Sequence, residues 1–193
     1  MEIDLPKFDS NLLKKNVLNI RKLTNKTFLS QLEEIKNILR QCGVSLVYEP
    51  LLPKTYINGA SYKLTTSKAL IMISDRGKRD DILWFTLFHE IAHLIKHSTK
   101  IKFIDDDNTE KNEVEKEADE YAKNILIPNK EYENLLLYND YLTKKIIIDF
   151  CKKNNINTGI LIGRLQKDNI LNWNEFNNMI NYIKDNTFDG EKI

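Results

Sequence analysis

The run ILWFTLFHEIAHLIKH, Ile82–His97, admits few folds. Ile82, Leu83, Trp84, Phe85, Leu87, Phe88, Ile91, Ala92, Leu94 and Ile95 surround the axis of a helix at 100° per residue. A helix apolar on every side belongs inside a core. Yet this one carries every histidine of the chain, His89, His93 and His97, together with Glu90. Burying such groups unpaired costs several kcal/mol, so something must compensate them.

The spacing says what. HEIAH is HExxH, and positions i and i+4 share one helix face, so His89 and His93 can direct ring nitrogens at one point. Glu90 can reach a water held there. Two imidazoles, an open coordination position and a carboxylate base make a hydrolytic zinc site, with Zn2+ as the expected cofactor. His97 lies about 6 Å further along the axis and at the helix C-terminus, where capping of carbonyls is its expected role rather than ligation. Asp80 or Asp81 is the expected N-cap of this helix.

Zinc of this kind takes a third protein ligand, and no further histidine exists. The segment EVEKEADEYAKNILI, residues 113–127, reads as a helix stopped by Pro128. Its apolar stripe centres near Ala118, and Glu115 lies about 60° from that centre, the acid most easily turned inward. Asp119, one turn on, can accept the N–H of a ligating imidazole. Glu117 reads as part of the solvated face. Asp105–Asp107 lack the spacing of a calcium loop.

Around these helices the chain reads as α+β. Two helices fill 11–41, closed by Gly43. Strands follow at Val44–Tyr48, Ala60–Leu64 and Lys68–Ser74, with Asn58-Gly59 as a turn and a further short strand at Ile101–Ile104. Asp105–Asn112 reads as an acidic loop. Beyond Pro128, helices are expected at Lys130–Leu137, Tyr141–Asn154, Ile160–Asp168 and Trp173–Ile183. The expected division is residues 1–43 as N-terminal helices, 44–128 as the core with a small mixed or antiparallel sheet, and 129–193 as a C-terminal helical subdomain, either separate or one unit with the core. Cys42 and Cys151 read as reduced core thiols in a cytoplasmic protein. Charge is nearly balanced, with a formal net of +1, and no apolar run is long enough for a membrane span.

HExxH followed by Glu-x-x-x-Asp resembles the thermolysin-like zincins. More closely, WFTLFHEIAHLIKH, EKEADEYAKNILIP and NGASYKLTTSKALIMIS resemble the ImmA/IrrE metallopeptidases, and the likeness extends into IDFCKKNNINTGILIGRLQKDNIL. That resemblance implies a minimal zincin domain in which His89, His93 and Glu115 hold zinc, Glu90 is the base and Asp119 supports a histidine. It implies that the strand before the HExxH helix, with Leu70, Ile71, Met72 and Ile73, takes substrate by β-addition. It also implies a protein substrate, a helix-turn-helix repressor or antitoxin-like regulator, and the chain is similar to the peptidase part of HigA-like helix-turn-helix/peptidase fusions. The rival reading is a zinc-containing regulatory module that cuts nothing. Residues 146–170 outline a helix-turn-helix with Lys152, Lys153, Arg164 and Lys167, too few basic residues to expect direct DNA contact. Tyr56, Tyr62 and Tyr121 are candidates for an oxyanion donor.

Overall fold

A computed structural model describes residues 5–49, 58–63, 67–97, 108–137 and 142–183. In chain order the elements are α1 (Ser10–Arg21), α2 (Phe28–Gln41), β1 (Val44–Glu49), β2 (Gly59–Lys63), β3 (Ala69–Ser74), α3 (Asp80–Lys96), α4 (Asn108–Leu126), α5 (Asn129–Leu136), α6 (Lys144–Asn154) and α7 (Thr158–Lys167). The fold is α+β with a small mixed sheet, consistent with a minimal zincin-like domain. The strand expected at 101–104 and the residues Pro50, Tyr56, Leu64 and Tyr141 fall outside the described residues.

The sheet order is β1-β3-β2, with β3 parallel to β1 and antiparallel to β2. Leu46, Ile71 and Ser61 lie abreast in register. Ala69, Ile71 and Ile73 are buried on the face covered by α3, and the alternate residue Met72 is 41% exposed on the other. This arrangement corrects one expectation. β3 is hydrogen-bonded on both sides, so Leu70–Ile73 have no free edge for an added strand. Among the described residues β1 and β2 are the two outer strands, and β2 is the one that lies against Glu90.

α3 runs through the middle of the protein, against the sheet, α1, α2, α4 and α7. Leu83, Trp84, Leu87, Phe88, Ile91 and Leu94 are all buried, each contributing roughly 1.5–3 kcal/mol. Phe28 meets Trp84 edge to face at 5.1 Å. The N-cap of α3 is Arg79; Asp80 and Asp81 form its first turn and are themselves buried. Their carboxylates are committed elsewhere. Asp80 Oδ1 accepts the backbone N–H of Phe28 at 2.6 Å, and Oδ2 accepts from Asn157 Nδ2 at 3.0 Å. Asp80 thus caps α2, whose own N-cap Thr27 makes no side-chain cap bond. Asp81 is gripped by Arg79 through two bonds of 3.0 Å.

Two further devices close the frame. Gly43 follows α2 with φ +76°, and a Cβ there would lie 2.5 Å from the backbone N of Phe8, so only glycine fits. Arg21 donates to the carbonyls of Ile125, Asn154 and Asn155, each at 2.9 Å, tying α1 to the ends of α4 and α6. Buried residues from Leu13 to Ile180 form one cluster, so all three sequence segments share a core.

Two other expectations change. α4 begins at Asn108, so the second half of the stretch read as an acidic loop is helical. No helix spans Trp173–Ile183: the segment has turns, a 3-10 turn at Asn177–Met179 and a bridge between Tyr182 and Arg79. The buried Gln166 amide donates to the Trp173 and Glu175 carbonyls, and Phe176 adopts φ +55°, which breaks a helical path. α7, the second helix of the helix-turn-helix outline at 146–170, is largely buried. Gly159, Ile160, Leu161, Ile162, Leu165 and Gln166 of α7 are buried, and Lys167 alone on that helix is exposed.

Candidate metal centre

His89 and His93 occupy successive turns of α3, and their Nε2 atoms lie 3.0 Å apart. α4 crosses beside them. Ala118 and Ala122 are fully buried there, and such small residues let the two helices approach closely. This brings Glu115 Oε2 within 3.1 Å of His89 Nε2 and Oε1 within 3.5 Å of His93 Nε2. Asp119, one turn on, meets His89 Nδ1 at 2.8 Å. A carboxylate accepts only, so Nδ1 carries the proton and Nε2 turns a lone pair toward His93 and Glu115.

Three electron-pair donors that face one another repel unless a cation or proton lies among them. Four-coordinate zinc ligands about 2.0–2.1 Å from a common centre sit roughly 3.3 Å from each other. The observed separations of 3.0, 3.1 and 3.5 Å match that spacing, and the N, N, O donor set suits a borderline-soft divalent ion. The two imidazoles are well covered, whereas the Glu115 side chain is 52% exposed, so the cluster opens to solvent on the α4 side. Among the described residues this is the one His/Cys/Asp/Glu group placed to hold a metal.

The electrostatics are uneven. Burial pushes His89 down, but the Asp119 hydrogen bond and the charges of Glu90, Asp119 and Glu115 outweigh it and hold its pKa above the usual value. Burial depresses His93, against the pull of Glu115. The His89 hydrogen bond lowers Asp119. Burial raises Glu90, which is 5% exposed.

Glu90 points to the edge strand. Its Oε1 lies 3.0 Å from where a Cβ on Gly59 would stand, and Ser61 hydrogen-bonds its carboxylate. A Cβ on Gly59 would also meet the Thr86 methyl at 2.4 Å, so the glycine is what lets β2 lie against α3. Neither Gly59 nor Ser61 stood out as a site residue, because Asn58-Gly59 reads as a turn and a serine in a strand carries no signal of its own.

The remaining candidates lie apart from the cluster. His97 is the C-cap residue, and its Nε2 is buried without a hydrogen-bond partner, 3.6 Å from Glu117. Glu117 pairs with Lys96 at 2.8 Å. Tyr62 neighbours Ser61 on β2 and so projects from the opposite face. The Tyr121 ring lies under Lys96.

With this geometry in view, comparison with known families is informative. The family model described as the IrrE N-terminal-like domain, peptidase M78, matches residues 39–151, more than half of the chain. The match includes the sheet, both site helices and the residues His89, Glu90, His93, Glu115 and Asp119. A search of curated proteins finds no match. The chain belongs to the IrrE N-terminal-like family of M78 metallopeptidases.

Proposed function

We propose that this chain is a zinc endopeptidase of the cytoplasm that cuts one specific regulatory protein, a helix-turn-helix repressor or antitoxin-like factor. The observation that carries the reading is the convergence of His89, His93 and Glu115 beside a buried Glu90. Those three residues would hold the ion. Bound there, zinc supplies Lewis acidity toward a water and toward the scissile carbonyl. Glu90 takes a proton from the water as its oxygen bonds to the carbonyl carbon. It then hands that proton to the amide nitrogen as the C–N bond breaks. Burial suits this role, since it raises the Glu90 pKa and so makes the carboxylate a stronger proton acceptor. The unpaired edge of β2 would bind the substrate backbone, with Gly59 and Ser61 keeping that edge against Glu90.

Metal analysis of the purified chain, with Glu115→Ala beside it, tests the centre: zinc at one equivalent in the parent and sharply less in the variant is expected. Glu90→Gln tests the chemistry. It should keep its zinc and lose the ability to remove the target regulator in cells. If Glu90→Gln acts like the parent while His93→Ala fails, the protein is a zinc-containing regulatory module.

A further inference from the structure

The basic and acidic residues of this chain are almost equal in number, 29 against 28, but they are not evenly spread. Residues 10–32 contain Lys14, Lys15, Arg21, Lys22 and Lys26 and no acid, leaving 24 basic residues against all 28 acids elsewhere. Arg21 turns inward to the helix ends described above. The lysines do not. At 100° per residue Asn11, Lys14, Lys15, Leu18 and Lys22 share one face of α1, opposite the buried Leu13, Val17 and Ile20. Lys14, Lys15, Lys22 and Lys26 are all exposed, and none pairs with a carboxylate among the described residues. The last turn of α6, with the exposed Lys152, abuts this face through the Asn25–Asn155 contact at 2.9 Å.

We infer that the outer face of α1 and the turn after it form a docking surface for the phosphate backbone of duplex DNA, independent of base sequence. The charge calls for an anionic partner, and the composition selects which kind. Lysine is depleted at protein–protein interfaces, where aromatic residues and arginine dominate. Lysine with exposed amides, here Asn11, Asn19 and Asn25, is the usual equipment for phosphate and sugar contacts. An anionic membrane would call for a row of apolar side chains, and this face offers Leu18 alone. The surface is separate from the metal centre and does not rest on the peptidase reading. If both hold, the peptidase is concentrated on the polymer that carries DNA-bound regulators.

The test is fluorescence anisotropy with a labelled 30-base-pair duplex of arbitrary sequence and the whole chain. Four lysines predict a slope of about −3.5 in log affinity against log salt, so roughly hundredfold weakening from 50 to 200 mM. Reversing the four charges, Lys14→Glu with Lys15→Glu, Lys22→Glu and Lys26→Glu, should weaken binding at least tenfold and flatten the slope. Lys144→Glu with Lys145→Glu, on exposed positions of α6, should leave both unchanged. On the parent chain, DNA should shield those same four lysines from acetylation, a readout that needs no variant. Absence of binding at 50 mM salt, undiminished binding by the fourfold variant, acetylation unaffected by DNA, or binding to anionic phospholipid vesicles without binding to DNA would each overturn the inference.

Discussion

The Nδ1–H of His89 donates to Asp119 Oδ1 at 2.8 Å, across the seam between α3 and α4. That bond sets the tautomer of His89 and aims its free lone pair. Outer partners of this kind typically change metal affinity 10–100-fold. Asp119→Ala should therefore weaken zinc binding by about that factor, measured by competition with a chelating dye. An affinity equal to the parent's would remove Asp119 from the centre.

Gly59 tests the fit of the edge strand. A methyl there meets the Thr86 methyl at 2.4 Å, a contact that something must relieve by moving. Gly59→Ala should cost about 1–3 kcal/mol, as overpacking does, and should displace β2 from Glu90. Thr86→Ser removes the opposing methyl. The double variant should recover most of the loss in a urea titration; additive losses would show that the clash is not the cause.

Arg21 is half buried and makes its bonds to carbonyls rather than to a carboxylate. Burial lowers its pKa to about 10, so it remains charged near neutrality. Hydrogen bonds from a charged donor contribute about 1.5–3 kcal/mol each, and three carbonyls at two helix ends lose their partner together. Arg21→Ala should lower unfolding free energy by roughly 3–5 kcal/mol. Arg21→Lys should recover only part, because one ammonium cannot span the same acceptors.

Asp80 predicts a pH dependence. Burial raises its pKa from 3.8 to about 6, against the lowering effects of the Phe28 and Asn157 hydrogen bonds. The folded state therefore binds the proton more tightly than the unfolded chain. The resulting stability is fully present below pH 4 and is lost as pH rises through 6, up to about 3 kcal/mol. Asp80→Asn should be less stable at pH 4, since its amide cannot accept from Asn157, but should lose this part of the slope. Urea midpoints of parent and variant between pH 4 and 7 measure the difference; equal slopes would count against it.

The sequence was most legible where a residue pattern leaves one physical solution. An apolar run on all sides of a helix has to be buried, which put α3 in the core, and the α+β order and the family follow from the same motifs. What could not be read depends on contacts distant in sequence. Nothing in ALIMI distinguishes an edge strand from one paired on both sides, because both flanks of β3 are filled by strands that precede it. The segment Trp173–Ile183 has helical spacing, but Gln166 takes its carbonyls. Asp80 and Asp81 look like caps for their own helix until α2 and Arg79 claim them.

That borrowed cap has a consequence for the order of events in folding. The first amide of α2 is satisfied by a side chain 52 positions later. Its opening turn therefore stays frayed until the histidine helix has docked. Slow deuterium uptake at Phe28 would thus report on assembly of the frame around the candidate metal centre, from a position outside it.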